Sequence, residues 1–193
     1  MDLDIIFFIG PQGSGKGTQA RQLAEQLGFY HFEMGAILRE EAQKDTPLGK
    51  HIAELINNGH LLDDEDLYKV MVEKLKELPT DRGIIFDGVP RRVGQAQFLL
   101  SYLREHGRTN FVTIFLDIPH DISVARLLER AHHEFRKDDT REAIEYRLQM
   151  YDKETLPVID LLRKETTHIE INGTPSIPEV RVAINTALHL DYV

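Results

Sequence analysis

The stretch Gly10-Pro11-Gln12-Gly13-Ser14-Gly15-Lys16-Gly17-Thr18 decides the fold. An apolar run at residues 5–9 leads into it, and a helical pattern of apolar residues at positions 20, 23, 24 and 27 leads out of it. Strand, glycine-rich loop and helix in this order are the context that a phosphate-binding loop requires. Glycines let the backbone turn its N–H groups inward, and the helix N-terminus adds the positive end of its dipole. We therefore predict that the loop holds the β-phosphate of a nucleoside triphosphate, with Lys16 reaching a terminal phosphate.

The loop departs from the strict pattern G-x-x-x-x-G-K-[ST] at one position. Gly17 stands where a magnesium-binding hydroxyl is usual, and Thr18 follows one place later. The alternative interpretation is an ordinary glycine-rich turn, which the surrounding strand and helix disfavour. The residues that we assign to the triphosphate in this loop are Gly13, Ser14, Gly15, Lys16, Gly17 and Thr18.

Composition narrows the class of protein. The chain has 193 residues, enough for one domain with a sizeable core, and a net charge of −9. This acidic balance disfavours a nucleic-acid partner, and the sequence contains no apolar run long enough to span a membrane. It contains no cysteine, which excludes disulfides and thiolate zinc sites. We expect a cytoplasmic monomer with no structural zinc and no nucleic-acid or membrane partner.

Apolar runs rich in β-branched and aromatic residues alternate with amphipathic helical stretches. This alternation predicts an α/β protein with a five-stranded parallel sheet and helices on both faces, the P-loop NTPase-type three-layer fold. The first, third and fourth runs are almost continuously apolar, which is typical of central strands covered on both sides. The predicted strands are residues 5–9, 29–32, 84–86, 111–116 and 168–171.

The sequence G-P-Q-G-S-G-K-G-T-Q at residues 10–19 resembles the adenylate kinase family of nucleoside monophosphate kinases, in which glycine usually follows the lysine. Three further motifs of the family have counterparts here in the same order. Residues 33–40 resemble its S-T-G-D-x-L-R segment, residues 59–62 resemble its G-x-L-V segment, and residues 87–91 resemble its D-G-F-P-R motif. The resemblance covers nearly the whole chain. It implies one kinase core domain, 1–193, with an inserted monophosphate-binding segment at about 33–62 and a short lid at about 130–138.

The resemblance also implies which residues bind the acceptor, AMP. Three positions depart from the family pattern: Glu33 replaces a small residue, Met34 a threonine and Ala36 an aspartate. These departures leave open an acceptor other than AMP, such as CMP or UMP. The implied AMP-binding residues are Met34, Gly35, Arg39, His60, Leu61, Leu62, Gly88, Arg91, Gln95, Arg136 and Arg147.

The donor side carries the rest of the implied chemistry. Arg126 and Arg130 are four residues apart and share a helix face, where like charges repel unless an anion lies between them. Together with later arginines they match the family's R-x-x-x-R…R-x-D-D…R pattern. Asp87, at the end of a predicted central strand, is placed to hold a water of hydrated Mg²⁺. The implied catalytic residues are Lys16, Arg91, Arg126, Arg130, Arg136 and Arg147, and Arg130 and Gly173 also bind ATP.

Reversible transfer of a phosphoryl group from MgATP to AMP, giving two ADP, is the activity that the resemblance implies. Two alternatives belong to other classes: a nucleotide-binding regulatory module without catalysis, and a small-molecule kinase on the same scaffold. Two clusters suggest metal sites, His132-His133-Glu134 and the carboxylates at 63–66. We interpret the second cluster as the favourable negative first turn of a helix, and the first lacks a fourth ligand.

Overall fold

The computed structural model describes residues 3–57, 62–134 and 140–190. Its sheet has five strands in the order β2-β3-β1-β4-β5, and every neighbouring pair is parallel. The first, third and fourth apolar runs form the three central strands, which confirms that prediction. The strands are β1 (Ile5–Ile9), β2 (Tyr30–Glu33), β3 (Ile84–Asp87), β4 (Phe111–Asp117) and β5 (Thr167–Asn172).

Helices cover both faces of the sheet. Successive residues of β1 point to opposite sides, so that Phe7 stacks on Phe86 in one core cluster while Ile6 and Phe8 belong to the other. The first cluster includes residues of α2–α5 and α8, and the second includes residues of α1 and α9. The predicted three-layer fold is therefore confirmed. The helices are α1 (Lys16–Leu27), α2 (Met34–Glu41), α3 (Pro47–Asn57), α4 (Asp64–Leu75), α5 (Val93–Glu105), α6 (His120–Glu134), α7 (Arg141–Met150), α8 (Leu156–Glu165) and α9 (Ile177–Ala187).

A π-helical turn, Tyr151–Thr155, joins α7 to α8. The Leu156 N–H donates to the Tyr151 carbonyl five residues earlier, and Pro157, which has no N–H to donate, falls in the first turn of α8. The α-helical path from α7 to α8 is thus interrupted just before the proline. The Thr155 hydroxyl donates to the Arg91 carbonyl at 3.0 Å, which fixes the turn against the loop after β3.

Within the described ranges, no helix is both long and apolar enough to cross a membrane. The final helix begins with the capping box that Ser176 and Glu179 predict, each side chain bonding the other's backbone N–H. Three predicted site residues, His60, Leu61 and Arg136, lie outside the described residues, as do residues 135–138 of the predicted lid.

Candidate active site

The predicted site residues gather at the carboxyl ends of the strands. The glycine-rich loop follows β1, the Gly88–Arg91 turn follows β3, and the Gly173 loop follows β5. Because the sheet is parallel, all three loops emerge at the same edge, where open α/β sheets bind ligands. Gly173 lies directly against the glycine-rich loop: a Cβ built on it would stand 3.1 Å from the Ser14 carbonyl oxygen.

The glycine-rich loop adopts conformations that require glycine. Gly13 has φ +83° and Gly15 has φ +88°, both in the left-handed region. At Gly13 a side chain is also excluded sterically, because a Cβ would approach the Ser123 carbonyl oxygen of α6 to 2.9 Å. The buried Ser123 hydroxyl donates to the Gln12 carbonyl, which further anchors the loop to α6.

Two polar atoms of this loop are buried without a protein partner among the described residues. They are the Ser14 hydroxyl oxygen and the Gln12 amide oxygen. Buried polar atoms are nearly always hydrogen-bonded in a folded protein, so unpaired ones indicate a place for an outside group. The loop shape, the glycine conformations and the Ser14 hydroxyl, which can donate a hydrogen bond, fit a bound phosphate, whereas the Gln12 amide oxygen can only accept and needs a donor.

Lys16 is the cation at the centre of the loop. Its Nζ donates to the Pro11 carbonyl at 3.1 Å. Burial lowers the pKa of Lys16 to about 8; Asp87 acts in the opposite direction, and Arg91 and Arg130 lower this pKa further. These influences place Arg91 and Arg130 within electrostatic reach of the lysine. An anion that joined this group of cations would relieve their repulsion.

Asp87 is a buried carboxylate at the end of β3, 6% exposed. Its Oδ2 lies 3.8 Å from the His31 Nε2 on the neighbouring strand. A Cβ on Gly17 would stand 3.2 Å from the same Oδ2, so the glycine leaves room beside the carboxylate. An oxygen ligand with space around it suits a hydrated magnesium ion, which keeps most of its waters. Thr18, one residue further, is exposed.

Arg91 is held by its own loop. Its Nε donates to the Gly88 carbonyl at 2.9 Å, and its backbone N–H donates to the Gln95 Oε1 at 2.8 Å. Burial lowers the pKa of Arg91; Asp87 opposes this shift and Arg147 adds to it. Gln95 is 2% exposed, and the bond from Arg91 sets which end of its amide is oxygen. Arg91 and Gln95, both predicted acceptor residues, therefore form one unit with Arg147 nearby.

The acceptor side is formed by the start of α2. Met34 is 2% exposed, and its Cβ lies 3.7 Å from where a Cβ on Gly88 would stand. The Arg39 guanidinium donates to the Glu33 Oε1 at 2.9 Å. Leu62 is buried and belongs to the same core cluster as Met34. Met34, Gly35 and Gly88 are thus brought together, and Arg39 is engaged by Glu33.

Arg126 bridges α6, the glycine-rich loop and the loop after β5. Its guanidinium donates to the Gly173 carbonyl at 2.8 Å and to the Thr174 carbonyl at 2.7 Å, with longer contacts of 3.4 Å to the Gly13 and Pro175 carbonyls. These contacts fix the arginine where the two donor-side loops meet.

The carboxylates at the start of α4 have structural partners. His51, Asp63 and Asp66 bring their ligand atoms within 4.8 Å of one another. Asp63, however, accepts the Asp66 N–H at 2.9 Å as a helix cap, and Asp66 pairs with Lys69 at 2.8 Å. These contacts agree with the interpretation as a helix start.

Sequence reasoning missed four side chains that the structure brings to this edge. Glu33 holds Arg39, His31 lies beside Asp87, and Tyr151 and Thr155 of the π-helical turn approach the Arg91 loop. The pairing of β2 with β3 explains the position of His31. His31 stands opposite Ile85, two residues before Asp87, so both side chains lie on the same face of the sheet. The π-helical turn left no such signal, since it adds one residue to a helical turn without changing the apolar pattern.

Known proteins resemble this chain over most of its length. A model of the family described as adenylate kinase matches residues 8–167. "Adenylate kinase 1" of Nostoc sp. is 39% identical over 183 residues, 95% of this chain and 97% of the relative. "Adenylate kinase" of Phocaeicola vulgatus is 36% identical over 96% of this chain and 98% of the relative, and that of Porphyromonas gingivalis is 36% identical over 94% and 93%. With the fold and the glycine-rich loop in place, these matches show that the chain belongs to the adenylate kinase family.

Proposed function

We propose that this chain catalyses the reversible transfer of the γ-phosphoryl group of ATP to AMP, giving two ADP. The observation that carries the proposal is the convergence of Lys16, Asp87 and Arg91 at the mouth of a phosphate-shaped loop. The relatives named adenylate kinase support AMP as the acceptor. They disfavour both the pyrimidine monophosphate kinase and the inactive regulatory module.

Phosphoryl transfer requires that the two nucleotides be held in line and that the negative charge on the transferred group be neutralised. An oxygen of the AMP phosphate attacks the γ-phosphorus, and the bond from that phosphorus to the β,γ-bridging oxygen breaks. The transition state spreads its charge over the three equatorial oxygens of the moving group. Donors already fixed around this position stabilise that charge without reorganising, and removal of one such donor typically costs 10²–10³ in turnover.

Each cation has a place in this scheme. Lys16 and the loop N–H groups cradle the donor phosphates, while Arg91 and Arg39 hold the acceptor phosphate. Arg130, Arg136 and Arg147 approach the moving group when the lid segment, about 130–138, closes and excludes water. Arg126 holds the loop at 173–175 that borders the ATP site. The segment at about 33–62 binds the monophosphate.

Asp87 is the residue that would hold a hydrated Mg²⁺ ion brought in with ATP, because Gly17 leaves room beside its carboxylate. The ion would supply positive charge to the phosphate oxygens of the donor nucleotide. No cysteine is available for a zinc site in the lid.

This chain departs from the family's sequence pattern at two positions on the side where the acceptor base binds. Met34 and Ala36 change the pocket in which the base lies, and methionine offers a polarizable apolar surface but no hydroxyl. The alternative is therefore a preference for CMP or UMP. Gln95 retains an amide that can pair with the N1/N6 edge of adenine.

The experiment that tests the assignment is replacement of Arg91 by alanine, assayed by ADP formation from MgATP and AMP. We expect turnover to fall by at least 100-fold. Arg82→Ala is the matched control, because Arg82 lies in the exposed turn before β3, at the opposite end of that strand. Near-normal turnover in Arg91→Ala, or an equal loss in Arg82→Ala, would contradict the role given to Arg91.

A further inference from the structure

Tyr151 carries a buried hydroxyl that the mechanism above does not use. The residue begins the π-helical turn, is 8% exposed, and its hydroxyl has no hydrogen-bond partner among the described residues. A tyrosine buried to this degree normally finds a partner for its O–H. An unpaired hydroxyl in this position is destabilising unless another group supplies the bond.

Tyr151 lines the recess between the glycine-rich loop and the Arg91 turn. This recess has a volume of about 20 Å³, enough for one water-sized group such as a single phosphoryl oxygen. Two cations of the predicted phosphate site, Lys16 and Arg91, belong to its polar wall. The residues that line it together with Tyr151 include Gly10, Gln12, Lys16, Gly88, Arg91 and Thr155.

The π-helical turn keeps Tyr151 in this position. Thr155, at the other end of the turn, donates to the Arg91 carbonyl at 3.0 Å, so the turn and the arginine loop form one unit. Burial also raises the pKa of Tyr151, and nearby Asp117 and Asp152 act in the same direction. The phenol therefore keeps its proton and acts as a donor, which is the role that an anionic oxygen requires.

We propose that the Tyr151 hydroxyl donates a hydrogen bond to a phosphoryl oxygen held between Lys16 and Arg91. Tyr151 is then a further catalytic residue of the phosphoryl transfer, and this inference rests on the function proposed above. The three donors approach the oxygen from different elements: α1, the loop after β3 and the π-helical turn. The bond forms only when nucleotide is present, which explains why the described part of the chain offers the hydroxyl no acceptor.

The test is Tyr151→Phe, which removes one oxygen atom and keeps the ring. We expect kcat/KM for AMP to fall by about 10- to 100-fold, the effect of losing a hydrogen bond to a charged group. The midpoint of thermal unfolding without ligand should stay the same or rise, because an unpaired buried hydroxyl has been removed. Tyr30→Phe is the control, since Tyr30 begins β2 at the opposite edge of the sheet and is 36% exposed. Its kcat/KM should match that of the wild type.

A purely structural role for Tyr151 predicts the opposite result: a lower unfolding midpoint with kcat and KM unchanged, which would overturn the inference. A second measurement separates this failure from failure of the proposed function. Inorganic pyrophosphate is titrated calorimetrically into both proteins. If the wild type transfers no phosphoryl group to any monophosphate, the proposed function and the catalytic role of Tyr151 both fail, and pyrophosphate binding then decides only whether the Tyr151 hydroxyl bonds a phosphoryl oxygen. Weaker binding by Tyr151→Phe supports it, and equal binding overturns it.

Discussion

Replacement of Lys16 by methionine should make the protein more stable while abolishing its activity. The reason is the environment of the ammonium group, whose pKa burial lowers from 10.5 to about 8. A pKa difference of one corresponds to about 1.4 kcal/mol, so the shift from 10.5 to about 8 means that the charged lysine destabilises the fold by at most about 3.5 kcal/mol below pH 8. Methionine has a similar apolar stem and no charge to desolvate.

The net gain is smaller, since Lys16→Met also loses the hydrogen bond to the Pro11 carbonyl. Such a bond contributes about 1 kcal/mol. We therefore expect a gain of roughly 1–2.5 kcal/mol at pH 7, which for a chain of this size raises Tm by about 2–10 °C. The unfolded lysine binds more protons than the folded one between pH 8 and 10.5. Wild-type stability thus rises with pH in this window, and the advantage of the variant disappears there.

The assay is urea unfolding of both proteins at pH 7 and at pH 10, with ADP formation measured in parallel. Lys164→Met, an exposed lysine on α8, serves as the control and should change neither stability nor turnover measurably. A Lys16→Met variant that is less stable at pH 7, or whose stability difference is the same at both pH values, would refute the desolvation argument. Retained activity would refute the assignment of Lys16 to the donor phosphates.

Three further predictions follow from individual contacts. Glu33→Ser should lower the KM for AMP roughly twofold, because the half-exposed Glu33–Arg39 pair competes with the acceptor phosphate for the arginine; an unchanged KM in steady-state kinetics would show that the pair does not compete. Arg126→Ala should raise the KM for ATP by about tenfold with a smaller change in kcat, because the loop at 173–175 loses its bonds to α6; a change confined to AMP kinetics would contradict this role. Affinity for MgATP, measured calorimetrically, should weaken by up to about tenfold per pH unit above pH 8 as Lys16 loses its proton in the free protein, and a flat profile from pH 8 to 9.5 would oppose this linkage.

The fold was predictable because its signals are local. The five apolar runs stand out against amphipathic stretches, and the central strands were distinguishable by their continuous apolar character. Residues 5–9 and 84–87, for example, are buried along their whole length. The glycine-rich loop was equally clear, since Gly13 and Gly15 occupy conformations that other residues adopt only with strain.

The hydrogen bonds between side chains and loops within the site could not be predicted from the spacing of residues in the sequence. Arg39 and Arg126 both matched a pattern, yet the structure engages one with Glu33 and the other with carbonyl groups of the 173–175 loop. Such contacts depend on which loops meet at the carboxyl edge of the sheet, and the spacing of residues in one sequence does not show which loops meet there. No sequence pattern marks Tyr151 as a site residue, and the π-helical turn that places it beside the recess at Lys16 is visible only in the structure.

The cytoplasmic location and the monomeric state stay predictions. Light scattering would test the second directly, with a mass near 22.2 kDa expected for the monomer and twice that mass contradicting it.

The central claim is tested most directly by ADP formation from MgATP with AMP, CMP, UMP, GMP and dAMP supplied in turn. We predict rapid turnover with AMP and much slower turnover with the pyrimidine monophosphates, which would show that Met34 is tolerated beside an adenine. A preference for CMP or UMP would contradict the acceptor assignment, and no turnover with any of the five, despite ATP binding, would contradict the proposed activity itself.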